Sequence, residues 1–178
     1  MGDRPAYIYR EKPGQPYTRK SQTSAGDNYI KGAPAPRVTQ FVMGNKNGEF
    51  EESLVLKIEE GVTVRSEALE SGRVAANSYL SRVLDPEEEY KLKLLPYPHH
   101  VLRYHPLAGV AGADRYYEGM RKPFGRPIGR AALTDDMQDM YRVRVDSSDR
   151  DQARKALERA SDKMPVSCRV RLEEEHTQ

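Results

Sequence analysis

The chain has 178 residues, with 29 lysines and arginines against 27 aspartates and glutamates and one cysteine. That is room for one domain of ordinary size, burying roughly 70% of its unfolded surface. One cysteine excludes an intramolecular disulfide or a multi-thiolate metal site, and no run of about 18 apolar residues exists to cross a bilayer, so a soluble protein of a reducing, cytoplasmic compartment is expected.

The start, MGDRPAYIYR, lacks the apolar core of a secretory signal. Residues 1 to 37 contain Pro5, Pro13, Pro16, Pro34 and Pro36, which deny the backbone helix and central-strand hydrogen bonding. The cations Arg4, Arg10, Lys12, Arg19, Lys20, Lys31 and Arg37 face only Asp3, Glu11 and Asp27, and they alternate with Tyr7, Tyr9, Tyr17 and Tyr29. An extended basic arm along a phosphate backbone fits this mixture, as does a disordered tail.

From Val38 the texture changes to a folded body, read as a single α+β domain from residue 38 to 178. Val38 to Met43 predicts a short strand, closed by the turn-rich Gly44-Asn45-Lys46-Asn47-Gly48. Ser53 to Ile58 alternates Leu54, Leu56 and Ile58 against Ser53, Val55 and Lys57, the period of a half-buried strand. Ala68, Leu69, Gly72, Ala75, Ala76, Tyr79, Leu80 and Val83 recur at helical spacing, with Thr63 or Ser66 as candidate N-cap. Asp85-Pro86 ends that helix, and Tyr90 to Leu95 predicts the next strand.

Met140 to Val145 (MYRVRV) predicts another alternating strand, and Ser148 with Asp151 forms a candidate capping box. Ala153, Ala156, Leu157, Ala160 and Met164 make a second helical stripe, which Pro165 stops. Val166 to Leu172 closes with a strand. Two β-α-β units of this kind predict a two-layer sandwich of a mixed sheet and two main helices.

Between the units lies His99 to Ala132. Arg103, Arg115, Arg121, Lys122, Arg126 and Arg130 stand against only Asp114 and Glu118, among five glycines. With no period of 2.0 or 3.6 the stretch is expected to bury no face, and its middle, about residues 103 to 118, to be a long Gly-rich loop. Its cations suit phosphates, and Tyr104, Tyr116, Tyr117 and Phe124 suit stacking on bases. Counted by stretch, residues 1 to 37 and 99 to 132 are each +4, residues 38 to 98 are −4 and residues 133 to 178 are −2. The expected molecule is an acidic body presenting basic arms.

Catalytic signals are weak. His99, His100 and His105 with Asp114 form the one cluster that could take a metal. Adjacent strand residues point to opposite faces, however, and no HxH, HExxH or cysteine partner accompanies them. Cys168 sits in a predicted strand with no neighbouring base to activate it. The run Leu107 to Arg115 lacks the lysine and hydroxyl of a phosphate-cradling loop. No catalytic residue, metal or cofactor is therefore expected. Two other readings stay open: a metal- or phosphate-dependent enzyme centred on His99, His100, His105 and Asp114, and a protein-interaction module using the acidic face.

Specific motifs run in order along nearly the whole chain: RPA (Arg4 to Ala6), PYTR (Pro16 to Arg19), MGN (Met43 to Asn45), ALESGRVAANSYL (Ala68 to Leu80), PYPHHVLR (Pro96 to Arg103), AGADR (Ala111 to Arg115), GMR (Gly119 to Arg121) and SCRV (Ser167 to Val170). In these the sequence resembles the archaeal and eukaryotic ribosomal protein L-ten-e family, counterpart of bacterial L-sixteen. It departs from the family at Arg103-Tyr104-His105-Pro106 and at Tyr116-Tyr117. The resemblance implies a non-enzymatic structural constituent of the large ribosomal subunit with a hammerhead-like α+β body. It also implies contact with 23S-type rRNA, 5S rRNA and neighbouring ribosomal proteins, and a loop directed at the aminoacyl- and peptidyl-tRNA sites. The end at Gln178 implies the archaeal branch. On these grounds the expected RNA-binding residues are Arg4, Arg10, Tyr17, Arg19, Lys31, Arg37, His99, His100, Arg103, Arg115, Arg121, Lys122, Arg126 and Arg130.

Overall fold

The structure, a computed structural model, describes Ile30, residues 33–104 and residues 126–173. Eight strands and two helices follow one another: β1 (Val42–Gly44), β2 (Glu52–Ile58), β3 (Thr63–Arg65), α1 (Ser66–Val83), β4 (Tyr90–Leu94), β5 (His100–Tyr104), β6 (Arg126–Leu133), β7 (Asp139–Val145), α2 (Arg150–Ser161) and β8 (Cys168–Glu173). They form a five-stranded sheet in the order β1-β4-β7-β2-β8 and a three-stranded sheet in the order β3-β6-β5.

Every described pair is antiparallel. The expected mixed sheet gives way to this arrangement because each crossover skips a strand. β2 and β4 run the same way with β7 between them, and β7 and β8 run the same way with β2 between them. These are two interleaved split β-α-β units, the ferredoxin-like pattern, into which β5 and β6 are inserted between β4 and β7.

Alternation places Leu54, Leu56, Ile58, Leu92, Leu94, Tyr141, Val143 and Val145 on one face of the large sheet, all fully or almost fully buried in one core with Leu69, Ala76 and Leu80 of α1 and Ala153, Ala156, Leu157 and Ala160 of α2. Both helices thus cover the same face. Small residues let α1 approach closely. At Gly72 a Cβ would stand 2.5 Å from the Tyr141 hydroxyl, which donates to the Leu69 carbonyl at 2.7 Å. The helices are joined by Tyr79 Oη donating to Gln152 Oε1 at 2.6 Å, and by the Arg159 guanidinium 4.2 Å above the Tyr79 ring.

Several local expectations are corrected. Val38 is 1% exposed, but the strand runs from Val42, so the core takes Val38 from irregular chain. Val83 is 45% exposed at the helix end, and Leu84 takes the buried place. Neither Thr63 nor Ser66 caps α1: the N-cap is Arg65, with no side-chain cap, Thr63 lies in β3, and the Ser66 residue is itself buried. The capping box is absent too, because a 3₁₀ turn at Ser147–Asp149 makes Asp149 the N-cap, again uncapped by a side chain. Ser148 Oγ bonds Asp149 Oδ2 instead. The half-buried period read in β2 also fails at Ser53 and Val55, which are 1% and 0% exposed.

The sharpest correction concerns His99 to Ala132. Its two ends are strands, and β5 is buried on both faces from His100 to Arg103. A strand buried on both sides has no polar-apolar alternation to read. Residues 105–125, which include most of the loop expected at about residues 103 to 118, lie outside the described residues, as does most of the expected arm.

β1 ends at Gly44, whose φ of +80° favours glycine. A Cβ there would stand 2.2 Å from the Tyr90 carbonyl, which accepts the Asn45 N–H at 2.8 Å. Gly44→Ala is expected to cost about 2 kcal/mol and to expose that amide. Hydrogen exchange of Asn45 should then rise at least tenfold, and wild-type protection would contradict the close approach.

Candidate nucleic-acid interface

Of the expected contact residues that fall among the described ones, Arg37 lies near Glu67 of α1, His99 stands just before the three-stranded sheet, and His100, Arg103, Arg126 and Arg130 lie in that sheet. In its register His100 faces Ala131, Val101 faces Arg130 and Leu102 faces Gly129. A bulge between Leu102 and Arg103 then pairs Arg103 with Pro127 and Tyr104 with Arg126. The Arg126 residue is exposed, near the 43% exposed Ile128. The strand pair thus forms a ribbon whose outer end, Tyr104 and Arg126, opens into residues 105–125.

The individual side chains are held in different ways. Arg130 donates from Nε to the Pro34 carbonyl at 2.9 Å, tying the incoming chain to β6. Arg37 is exposed, 3.9 Å from Glu67, with side chains 75% and 45% exposed, a pair worth little in water. His99 donates its backbone N–H to the Tyr97 carbonyl at 2.8 Å, and its Nδ1 lies 3.0 Å from the same oxygen. Tyr97, 52% exposed, stacks on Phe41 with centroids 5.7 Å apart.

His100 and Arg103 are 1% and 6% exposed. Burial, then the charge of Arg103, then that of His99, brings the His100 imidazole down to about 4. It is neutral at pH 7. His99 is only half-buried whereas His100 is buried, and among the described residues no group of three or more His, Cys, Asp or Glu side chains could hold a metal ion. Asp136 accepts the Gly61 N–H, and Asp139 pairs with Lys57 and Arg142. Cys168 lies in β8 with its thiol pushed up to about 11, chiefly by burial, so it is a poor nucleophile.

Arg4, Arg10, Tyr17, Arg19, Lys31, His105, Asp114, Arg115, Arg121 and Lys122 lie outside the described residues. Removing the tether at Arg130 gives a check on the rest: Arg130→Gln should speed tryptic cleavage after Arg37 about fivefold, the equivalent of one lost hydrogen bond. An unchanged rate would mean that the Pro34 contact does not hold the arm.

Sequence reading passed over a second group. YKLKL, MYRVRV and CRVRL alternate cations with apolar residues, and the register aligns the cations on the face away from the helices. One row reads Gly44, Lys91, Arg144, Ser53 and Glu173, and the next Val42, Lys93, Arg142, Val55 and Arg171. Lys57 pairs with Arg169 in the third. Arg142 is held by Asp139 at 3.4 Å and Glu173 at 3.0 Å, and Arg169 by Glu59 at 2.7 Å. The alternation was a usable signal, but counting charge by stretch averaged it away.

Comparison with known proteins follows the same line. The family described as "Ribosomal protein L16p/L10e" matches residues 13–171. A protein of Archaeoglobus fulgidus named large ribosomal subunit protein uL16 is 43% identical over 176 residues, covering 99% of this chain and 96% of its own. A namesake from Sulfolobus acidocaldarius is 41% identical over 171 residues, covering 95% and 93%. Another, from Hyperthermus butylicus, is 38% identical over 177 residues, covering 97% and 94%.

Proposed function

The chain belongs to the ribosomal protein L16p/L10e family, and from that premise we propose how it serves the ribosome. It is a structural, non-enzymatic constituent of the large ribosomal subunit in the cytoplasm, with rRNA and ribosomal proteins as its partners. No described helix is long and apolar enough to cross a membrane.

In our reading the body docks on 23S-type rRNA beside 5S rRNA, as a hammerhead-like α+β unit with a basic arm at residues 1 to 37 and a Gly-rich loop at about residues 103 to 118. The loop reaches toward the aminoacyl- and peptidyl-tRNA sites and shapes the cleft into which tRNA settles, while rRNA performs peptide transfer. The observation that carries this reading is the ribbon. β5 and β6 leave the large sheet between β4 and β7, and their outer pair, Tyr104 and Arg126, opens directly into the segment bearing Arg115, Arg121 and Lys122. A rigid antiparallel base that presents a cationic glycine-rich segment suits contact with phosphates of a mobile partner such as tRNA.

Cross-linking within assembled large subunits tests it. Photoreactive groups at Arg115 and Lys122 should cross-link to tRNA bound in the aminoacyl and peptidyl sites, and groups at Arg19 and Arg37 to 23S-type or 5S rRNA. Cross-links only to neighbouring proteins from both sets would overturn the assignment.

A further inference from the structure

We propose that the face of the five-stranded sheet turned away from the helices is itself an RNA-docking surface, fitted to the phosphate backbone of a helical rRNA segment. This rests on the ribosomal reading above and extends it to a part of the molecule that charge counting had marked as acidic.

The face follows from strand geometry. Because side chains alternate, apolar residues of β2, β4, β7 and β8 that enter the core force Lys57, Lys91, Lys93, Arg142, Arg144, Arg169 and Arg171 to the other side. Among the described residues, the carboxylates seen interleaved with these seven cations are Asp139, Glu173 and, at the rim, Glu59. The helix layer with its turns, residues 66–89 and 146–163, has the opposite balance: seven lysines and arginines against eleven aspartates and glutamates. The small overall charge of +2 therefore hides a polarised body, in which an approaching polyanion is attracted to the sheet side more than to the helix layer.

Three features select the occupant. Neighbouring strands lie about 4.8 Å apart, so the five strands present a surface about 19 Å wide, broad enough for a duplex. None of the residues in its rows is aromatic, whereas single-strand binders pair their cations with stacking rings. Val55, the central apolar residue of the face, is 0% exposed, so no apolar anchor of the kind that centres protein interfaces is offered there. What remains is a flat cationic array, the complement of a backbone whose bases are turned inward.

Within the array the roles differ. Arg142 and Lys57 are held by carboxylates and shape the surface. Lys93 and Arg171 are exposed, have no ion pair among the described residues, and stand in one row three strand gaps apart, about 14 Å. They are the grips expected to carry phosphate contacts.

The test uses the full chain and large-subunit rRNA, with affinity measured from low to high potassium chloride. Wild type should bind with a steep negative salt slope. Lys93→Gln/Arg171→Gln should flatten the slope by about 1.5 to 2 and weaken binding at low salt roughly 10- to 100-fold. The conservative pair Lys93→Arg/Arg171→Lys should keep the wild-type slope, which separates lost charge from a damaged fold. Lys155→Gln/Lys163→Gln on the helix layer should change little. If the Lys93/Arg171 glutamine pair keeps the wild-type slope and affinity, the sheet face is not an RNA surface, while the ribosomal reading stands. If wild type itself does not bind rRNA, the ribosomal reading fails first. If rRNA binding is intact but the glutamine pair leaves the assembled subunit, the face serves a neighbouring protein and the proposal is wrong.

Discussion

Gly72→Ala should lower the free energy of unfolding by about 2 kcal/mol, even though alanine is the better helix former. In an exposed helix the change would stabilise by up to about 1 kcal/mol. Here the added methyl would meet the Tyr141 hydroxyl at 2.5 Å, Met164 Cε at 3.0 Å and Tyr141 Cζ at 3.1 Å. Tyr141 is 0% exposed and pinned by its hydrogen bond to the Leu69 carbonyl. Burial and then Glu70 raise its phenol well above the ordinary range, so it stays a neutral donor.

Either α1 lifts from β7 or Tyr141 turns and loses its partner. Overpacking of this kind costs about 1–3 kcal/mol, and a stranded buried hydroxyl about as much again. Urea denaturation reads the result. Tyr141→Phe alone should cost about 1 kcal/mol, and the double variant should be less destabilised than the two losses summed, since one clash is gone. A neutral or stabilising Gly72→Ala would mean that α1 does not approach the sheet as closely as described.

Acid should weaken the native state before any carboxylate is involved. In the native state burial, then Arg103, then His99 bring the His100 imidazole down to about 4, so it takes up its proton only there, whereas an unfolded chain takes up the proton near 6.5. Between those values the unfolded state binds more protons, so stability is complete above about pH 6.5 and falls as pH drops toward 4. By pH 5 the loss should reach about 2 kcal/mol. Glu70, lowered mainly by its hydrogen bond from Arg73, adds its own loss only below the ordinary carboxylate value, so pH 6.5 to 5 isolates the imidazole. His100→Asn should lose stability overall but remove most of the slope in that window. A wild-type stability that is flat from pH 7 to 5 would show that the imidazole is not sequestered.

These two sites illustrate what a sequence of this kind reveals. β4, β7 and both helices were legible because each buries one face, so its apolar residues recur at the period of the element; in β2 Leu54, Leu56 and Ile58 carry that period although Ser53 and Val55 are buried as well, and in β8 the half-buried Cys168 and Val170 carry it. His100 to Arg103 escaped for the same reason reversed: packed on both sides, the strand carries histidine and arginine inside and has no period. β3 is three residues long, too short to alternate visibly. The family resemblance was carried by motifs such as ALESGRVAANSYL, in which Gly72 leaves room for Tyr141 of the sheet, and MGN, which supplies Gly44, the positive-φ end of β1.

Charge was the least legible property. Lys91 and Lys93 were counted with Glu87 to Glu89, and Arg142 and Arg144 with Asp146 and Asp149, because they are neighbours along the chain. In the fold the strands carry their cations to the face away from the helices, while Glu87 to Glu89, Asp146 and Asp149 lie off the strands, in or next to turns. Which strands lie side by side, and so which cations share a row, depends on the skipped-strand crossovers, which no local pattern encodes. Of the expected contact residues, Arg103 and His100 turned out to be buried and Arg130 to be bound to the Pro34 carbonyl.

The most direct measurement of the central claim is sedimentation of the tagged full-length protein from gently lysed cells on a sucrose gradient at moderate salt. A large-subunit constituent should travel with the large subunit and the whole ribosome in about equal proportion to rRNA, and wash off only as potassium chloride is raised well above physiological strength. Protein remaining at the top of the gradient, while the ribosomal peaks are intact, would contradict the account.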